Sequence, residues 1–206
     1  MGRGTSVIEN LQRKTPVALT LFRFSLGFLF LAIGLLKDAL AVPGWVLVVL
    51  LTAGVLSDIF DGVIARRLGV ATSLLRRLDS QTDLLFWAGA LTMAFLLYPT
   101  IMSAHGFEFL ILIGLEALSY LLSFARFGKE PSTHAYSAKI YGLALFIGLA
   151  TLLGSGRGEA LHLTFLAGLI SGIDVILILL LLRYWAFDVP SSFHAFRSRV
   201  APEPSP

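Results

Sequence analysis

Apolar residues in this chain come in long runs broken by short polar turns. Six runs stand out, at roughly 17–36, 44–66, 80–99, 107–126, 137–154 and 160–183. Each approaches the roughly 20 mostly apolar residues that a helix needs to cross the hydrocarbon core of a bilayer. Turn-forming residues separate them: Pro43-Gly44, Tyr98-Pro99, Gly128 with Pro131, and Gly154-Ser155-Gly156-Arg157-Gly158. The pattern predicts an all-α integral membrane protein with six transmembrane helices. The first run exceeds a signal-peptide core and reads as a retained span. The expected organisation is a polar segment over 1–16, a six-helix domain over 17–185 and a flexible tail over 186–206. That tail is rich in Pro and Ser from Pro190 onward. No soluble domain and no internal repeat is evident.

Composition supports the pattern. Of 206 residues, 56% are hydrophobic and 14% charged, against about a quarter charged in soluble domains. Mean hydropathy is +0.83. With no cysteine, disulfides, thiolate metal sites and a cysteine nucleophile are excluded. A pI of 9.4 raises the question of nucleic acid, and the placement of the basic residues answers it. Arg3, Arg13, Lys14, Arg66, Arg67, Arg76, Arg77, Arg126, Lys129, Lys139, Arg183, Arg197 and Arg199 all fall on one side of the six-span map. Only Lys37 and Arg157 fall on the other, and Arg23 lies inside span 1. Cytoplasmic loops hold the excess of Lys and Arg, so both termini are expected in the cytoplasm. The basic charge then faces anionic lipid, and no nucleic-acid partner is expected. Trp45, Tyr98, Tyr184 and Trp185 sit near span ends, as interface anchors do.

The acids are concentrated in SDIFDGVIARRLGVATSLLRRLDSQTD, residues 57–83. Asp58 and Asp61 are three apart at the inner end of span 2, hence on one helix face. Asp79 and Asp83 are four apart at the inner start of span 3. A hairpin of the two spans can turn all four carboxylates toward one space. Like charges there need relief: protonation, pairing with Arg66, Arg67, Arg76 or Arg77, or a divalent metal. Oxygen-only ligands suit hard cations such as Mg²⁺ or Mn²⁺. A salt-bridged interfacial loop is the plain alternative. Gly62 and Ala65 permit close approach of a ligand or of another helix.

These residues resemble the signature of the CDP-alcohol phosphatidyltransferase family, D-x2-D-G-x2-A-R-x8-G-x3-D-x3-D. Asp58, Asp61, Gly62, Ala65, Arg66, Asp79 and Asp83 fill seven of its eight positions, and Leu75 replaces the second glycine. Thr15-Pro16-Val17-Ala18-Leu19-Thr20-Leu21-Phe22-Arg23 resembles the family's entry to span 1, with Val17 for its Asn. Ser137-Ala138-Lys139 resembles its lysine region at the start of span 5. The resemblance implies transfer of a phosphatidyl-type group from a CDP-linked lipid, such as CDP-diacylglycerol, to an alcohol, releasing CMP, in phospholipid biosynthesis. It implies that Asp58, Asp61, Asp79 and Asp83 hold two divalent ions, Mg²⁺ or Mn²⁺. Asp83 is the implied base. Asp58, Gly62, Ala65 and Arg66 are implied to meet the nucleotide. Homodimers are common in the family.

A second basic cluster, Arg126, Lys129 and Lys139, suits a phosphorylated acceptor such as glycerol 3-phosphate or another phosphorylated polyol. Arg126 and Lys139 are the expected acceptor residues, and inner-leaflet anchoring is the plain alternative. Arg23 must face protein or water and is a candidate support for the site. His134 reads as a loop or interface residue. Glu116 and Asp174, mid-span, are costly unless they face a cavity, a neighbouring helix or a subunit contact. The expected setting is a prokaryotic cytoplasmic membrane with the active site toward the cytoplasm. Three rival readings stand. One is a non-catalytic relative in which Leu75 narrows or reshapes the nucleotide pocket. Another is a divalent-cation transporter, against which the acids cluster at one end of the spans. A structural membrane protein with a salt-bridged loop is a third.

Overall fold

The structure is a computed structural model that describes residues 3–67, 73–133 and 135–200. Among the described residues there are eight helices and no strands. They are α1 (Arg3–Leu35), α2 (Gly44–Arg67), α3 (Ser73–Leu97), α4 (Pro99–Ala104), α5 (Gly106–Phe127), α6 (Tyr136–Ser155), α7 (Ala160–Leu181) and α8 (Ser192–Val200).

Five stretches are long and apolar enough to cross a membrane: Val17–Leu35, Gly44–Ile64, Gly106–Phe127, Tyr136–Ser155 and Ala160–Leu181. They lie on α1, α2, α5, α6 and α7. Large apolar side chains such as Phe107, Ile113, Leu121 and Ile170 are exposed on them, as lipid-facing side chains are. The chain is an integral membrane protein. The sixth expected span, on α3, does not qualify. Its first turns carry Asp79, Ser80, Gln81, Thr82 and Asp83, so only the later half of the helix is oil. The segment expected as a flexible tail contains α8, which packs on α7 and buries Ala195.

The chain divides into two compact units. The first holds α1, α2, α3 and residues 152–156. Here α1 lies mainly against α3, and glycines set the distance. A Cβ on Gly89 would stand 2.2 Å from the Gly27 carbonyl oxygen, and one on Gly27 would stand 2.9 Å from that of Leu85. Only hydrogens fit between these backbones. Gly54 of α2 lies on the Phe86 ring in the same way. Phe86 in turn meets Phe30 at 5.6 Å between ring centres. Leu26, Phe30, Leu51, Phe86, Ala90 and Met93 are buried around this contact. At the far end Lys37 donates to the Leu96 carbonyl at 3.0 Å, satisfying an orphan acceptor of α3.

The second unit holds residues 100–151 and 157–206. In it α5 lies along α7, with Gly168 against Leu112 and Tyr141, and Gly172 against Leu115. Thr164 donates to the Ala144 carbonyl at 2.9 Å, joining α7 to α6. Gly128, at φ 66°, ends α5 with its N–H on the Phe124 carbonyl. Beyond it Ala135, Ile178, Leu182, Val189 and Ala195 form a small apolar cluster. Asp174 accepts from Ser137 at 2.7 Å and from the Ser192 N–H at 3.0 Å. Of the three options for this mid-span acid, hydrogen bonding between helices is the one found. Glu116 is exposed on α5.

Candidate active site

Helix spacing presents Asp58 and Asp61 on one face of α2, and Asp79 and Asp83 on one face of α3. The close glycine crossing brings α1 against that hairpin, and Arg23 of α1 lies at the centre of the four acids. Its Nη1 pairs with Asp58 and lies 3.1 Å from Asp83. Its Nη2 pairs with Asp79 and lies 3.2 Å from Asp61. Arg23 is fully buried, and its Nε has no hydrogen-bond partner among the described residues. One helical turn earlier, Thr20 donates to Asp61 at 3.5 Å. The acids differ in access. The Asp61 side chain is 5% exposed, whereas those of Asp79, Asp83 and Asp58 are 30%, 37% and 41% exposed. One face of the cluster is therefore sealed and the other is wet.

Charge decides what this arrangement can hold. One guanidinium cannot balance four carboxylates, and all the donors are hard oxygens. Asp58, Asp61 and Asp79 each offer an oxygen within 4.8 Å of the others. Opposed ligands of one Mg²⁺ stand about 4.2 Å apart, so the spacing suits a cation once the Arg23 guanidinium between them moves aside. The residues fit a hard divalent cation. Arg23 supplies part of the same neutralisation from the protein itself.

Of the expected nucleotide residues, Asp58 belongs to this cluster and Gly62 follows Asp61 in α2. Ala65 and Arg66 continue α2, and their side chains lie outside the described residues, as do those of Arg76 and Arg77. Leu75 is in the first turn of α3, and its side chain is likewise outside them. His134 lies outside altogether.

The expected acceptor residues belong to the second unit. Arg126 donates from Nη1 to the Leu179 carbonyl and from Nη2 to that of Leu182, the latter at 3.2 Å. It thus satisfies carbonyls at the end of α7. Lys139 is exposed with its Nζ 5.3 Å from the Tyr136 ring centre. Lys129 lies 4.6 Å from that of Trp185.

Sequence reasoning understated Arg23. An arginine inside an apolar run, which must find a counter-charge, is the signal that marks it. It missed His105, Glu108 and His162, which come together in the second unit. The spacing of His105 and Glu108 is visible in the sequence, but the third member is far along the chain.

An acid cluster of this spacing, at the polar ends of apolar helices, is a candidate site for a hard divalent cation. The chain belongs to the CDP-alcohol phosphatidyltransferase family, which it matches over residues 13–187. The family transfers a phosphatidyl group from a CDP-alcohol and is generally dependent on divalent metal. No curated protein and no solved structure matches the chain.

Proposed function

We propose that this protein transfers the phosphatidyl group of a CDP-diacylglycerol-like lipid to a phosphorylated polyol, glycerol 3-phosphate being the first candidate, and releases CMP. The observation that carries the reading is the four-aspartate cluster, sealed on the Asp61 side and open to water on the other. A lipid-bound diphosphate lying at a membrane boundary needs such a place. An apolar groove between α1 and α3, lined by Gly27, Phe28, Leu31, Leu85 and Ala88, begins about one turn past Arg23. It suits an acyl chain of the donor.

The acceptor hydroxyl oxygen attacks the lipid-side phosphorus, the bond to CMP breaks, and the hydroxyl proton passes to Asp83. Asp83 suits the role because its carboxylate is partly open to water and belongs to the same cluster. Asp58, Asp61, Asp79 and Asp83 would hold two divalent ions, Mg²⁺ or Mn²⁺, which when bound would supply neutralisation of the diphosphate charge. Asp58, Gly62, Ala65 and Arg66 meet the nucleotide. Arg23 keeps the carboxylates converged while the site is empty of substrate. Arg126 and Lys139 are proposed for the acceptor on the charge of their side chains, and Arg126 must release a carbonyl to serve. Helix α3 is the sixth span, held in the membrane by its packing on α1, with both termini and the site toward the cytoplasm. The protein is proposed to act as a homodimer in a prokaryotic cytoplasmic membrane.

The test is CMP release from purified protein, a CDP-lipid, Mg²⁺ or Mn²⁺ and a panel of alcohols. Release with a phosphorylated polyol, lost in Asp83→Asn, is expected. Binding of CDP-lipid without release for any acceptor would overturn the catalytic reading and leave the non-catalytic relative. Metal flux into proteoliposomes without release would leave the transporter.

A further inference from the structure

The first turns of α5 and α7 carry a cluster that the aspartate chemistry does not use. His105 stands at the N-cap position of α5 and is buried, 8% exposed. Its Nδ1 lies 2.7 Å from Glu108 Oε2. The other oxygen of Glu108 lies 3.1 Å from Nδ1 of His162, which comes from α7. The two imidazole rings stand 4.6 Å apart, edge to face. One ligand atom from each of the three residues lies within 4.8 Å of the others.

We propose that His105, Glu108 and His162 form a second metal site, which takes one zinc-class cation and ties the start of α7 to the start of α5. Two imidazoles and one carboxylate, with a fourth position left for water, are a ligand set that Zn²⁺ favours. Tetrahedral bonds of that length separate neighbouring ligand atoms by about 3.3 Å. The 2.7 and 3.1 Å contacts run to different oxygens of Glu108, and one ligand atom from each residue already lies within 4.8 Å of the others, so side-chain adjustments of up to about 1.5 Å bring the three to that spacing. The cation takes the place of the protons between Nδ1 and the carboxylate, and each imidazole carries its proton on Nε2 instead. No net proton is released from neutral imidazoles.

A capping box does not account for the geometry, since the His105 side chain makes no capping hydrogen bond. His105 and Glu108 have the spacing of an N-cap residue and its N3 partner. That spacing does not account for His162. That side chain is 67% exposed and could turn to water, and an exposed charged pair alone holds it only weakly. A shared cation gives it a reason to converge. The helix N-termini carry partial positive charge, which opposes a cation, so binding leans on Glu108. The nitrogen donors also separate this site from the aspartates, whose all-oxygen set suits Mg²⁺ or Mn²⁺.

The test uses the full-length, tag-free protein in detergent, loaded with Zn²⁺ or Co²⁺ in the presence of excess Mg²⁺ and then dialysed. One zinc per chain is expected, and Co²⁺ should give the visible absorption of a four-coordinate site with nitrogen ligands. His162→Ala and Glu108→Gln should each weaken zinc binding at least tenfold, whereas Asp58→Asn leaves it intact. His162 is exposed, so its removal does not threaten folding, and Glu108→Gln preserves shape. The proposal fails if no zinc is retained, if His162→Ala retains as much as the parent, or if Asp58→Asn is the variant that loses it.

Discussion

Replacing Arg23 by methionine keeps much of the volume and removes the charge. Each carboxylate oxygen at about 3.2 Å from the guanidinium attracts it by about 5 kcal/mol at an effective dielectric near 20. With the guanidinium gone, each pair among Asp58, Asp61 and Asp79 repels by roughly 3.5 kcal/mol at 4.8 Å. These sums overstate the measurable loss, because three of the four acids can turn toward water. Asp61, at 5% side-chain exposure, cannot. The net cost is therefore that of one buried charge stripped of its partner, about 3–5 kcal/mol. Unfolding in mixed micelles with EDTA present measures it. Arg23→Met should unfold at markedly lower denaturant, and added Mg²⁺ should recover part of the difference. Adding Asp61→Asn to Arg23→Met should recover most of it even in EDTA, by removal of the stranded charge. The reasoning is refuted if Arg23→Met lies within about 1 kcal/mol of the parent in EDTA, or if Asp61→Asn recovers nothing.

Two further outcomes follow from packing. Gly89→Ala places a Cβ 2.2 Å from the Gly27 carbonyl oxygen, with backbone on both sides, so α1 and α3 must part by about 1 Å. A loss of about 1–3 kcal/mol and a fall in CMP release are expected; an unchanged unfolding midpoint would contradict the crossing. Arg126→Gln removes charged donors from the Leu179 and Leu182 carbonyls. It should cost about 1.5–3 kcal/mol, and a raised acceptor KM beyond that loss would mark a substrate role as well.

The four aspartates were legible because helical spacing alone aligns each pair, and a hairpin needs no further information to bring the pairs together. Arg23 was half legible. Its position in an oily run says that it must be satisfied, but not by which of the nearby acids. That answer depends on the Gly27–Gly89 crossing, a contact between residues far apart in the chain. Five of the expected spans were legible from apolar length. The sixth was read from the same length, yet the acids that equip α3 for chemistry also weaken its hydropathy. The charge of Arg126 was legible, but its contacts with the Leu179 and Leu182 carbonyls at the end of α7 were not. His105 and His162 were missed for the same reason, since their meeting is set by how α5 lies along α7.

The central arginine also bears on how the protein is made. A translocon judges each segment as it arrives; an aspartate adds roughly 2.5–3.5 kcal/mol to insertion at mid-helix and less toward the ends, where these acids lie. Arg23 belongs to a helix that precedes α2 and α3 in the chain, and their acids follow it. The counter-charge is thus already in the membrane when the acidic hairpin reaches it. If α3 is the proposed sixth span, its polar early turns leave insertion to depend on its partner α1. The order of the genetic text and the order of charge neutralisation coincide, and a permuted chain that placed α3 before α1 would lose that advantage at biogenesis.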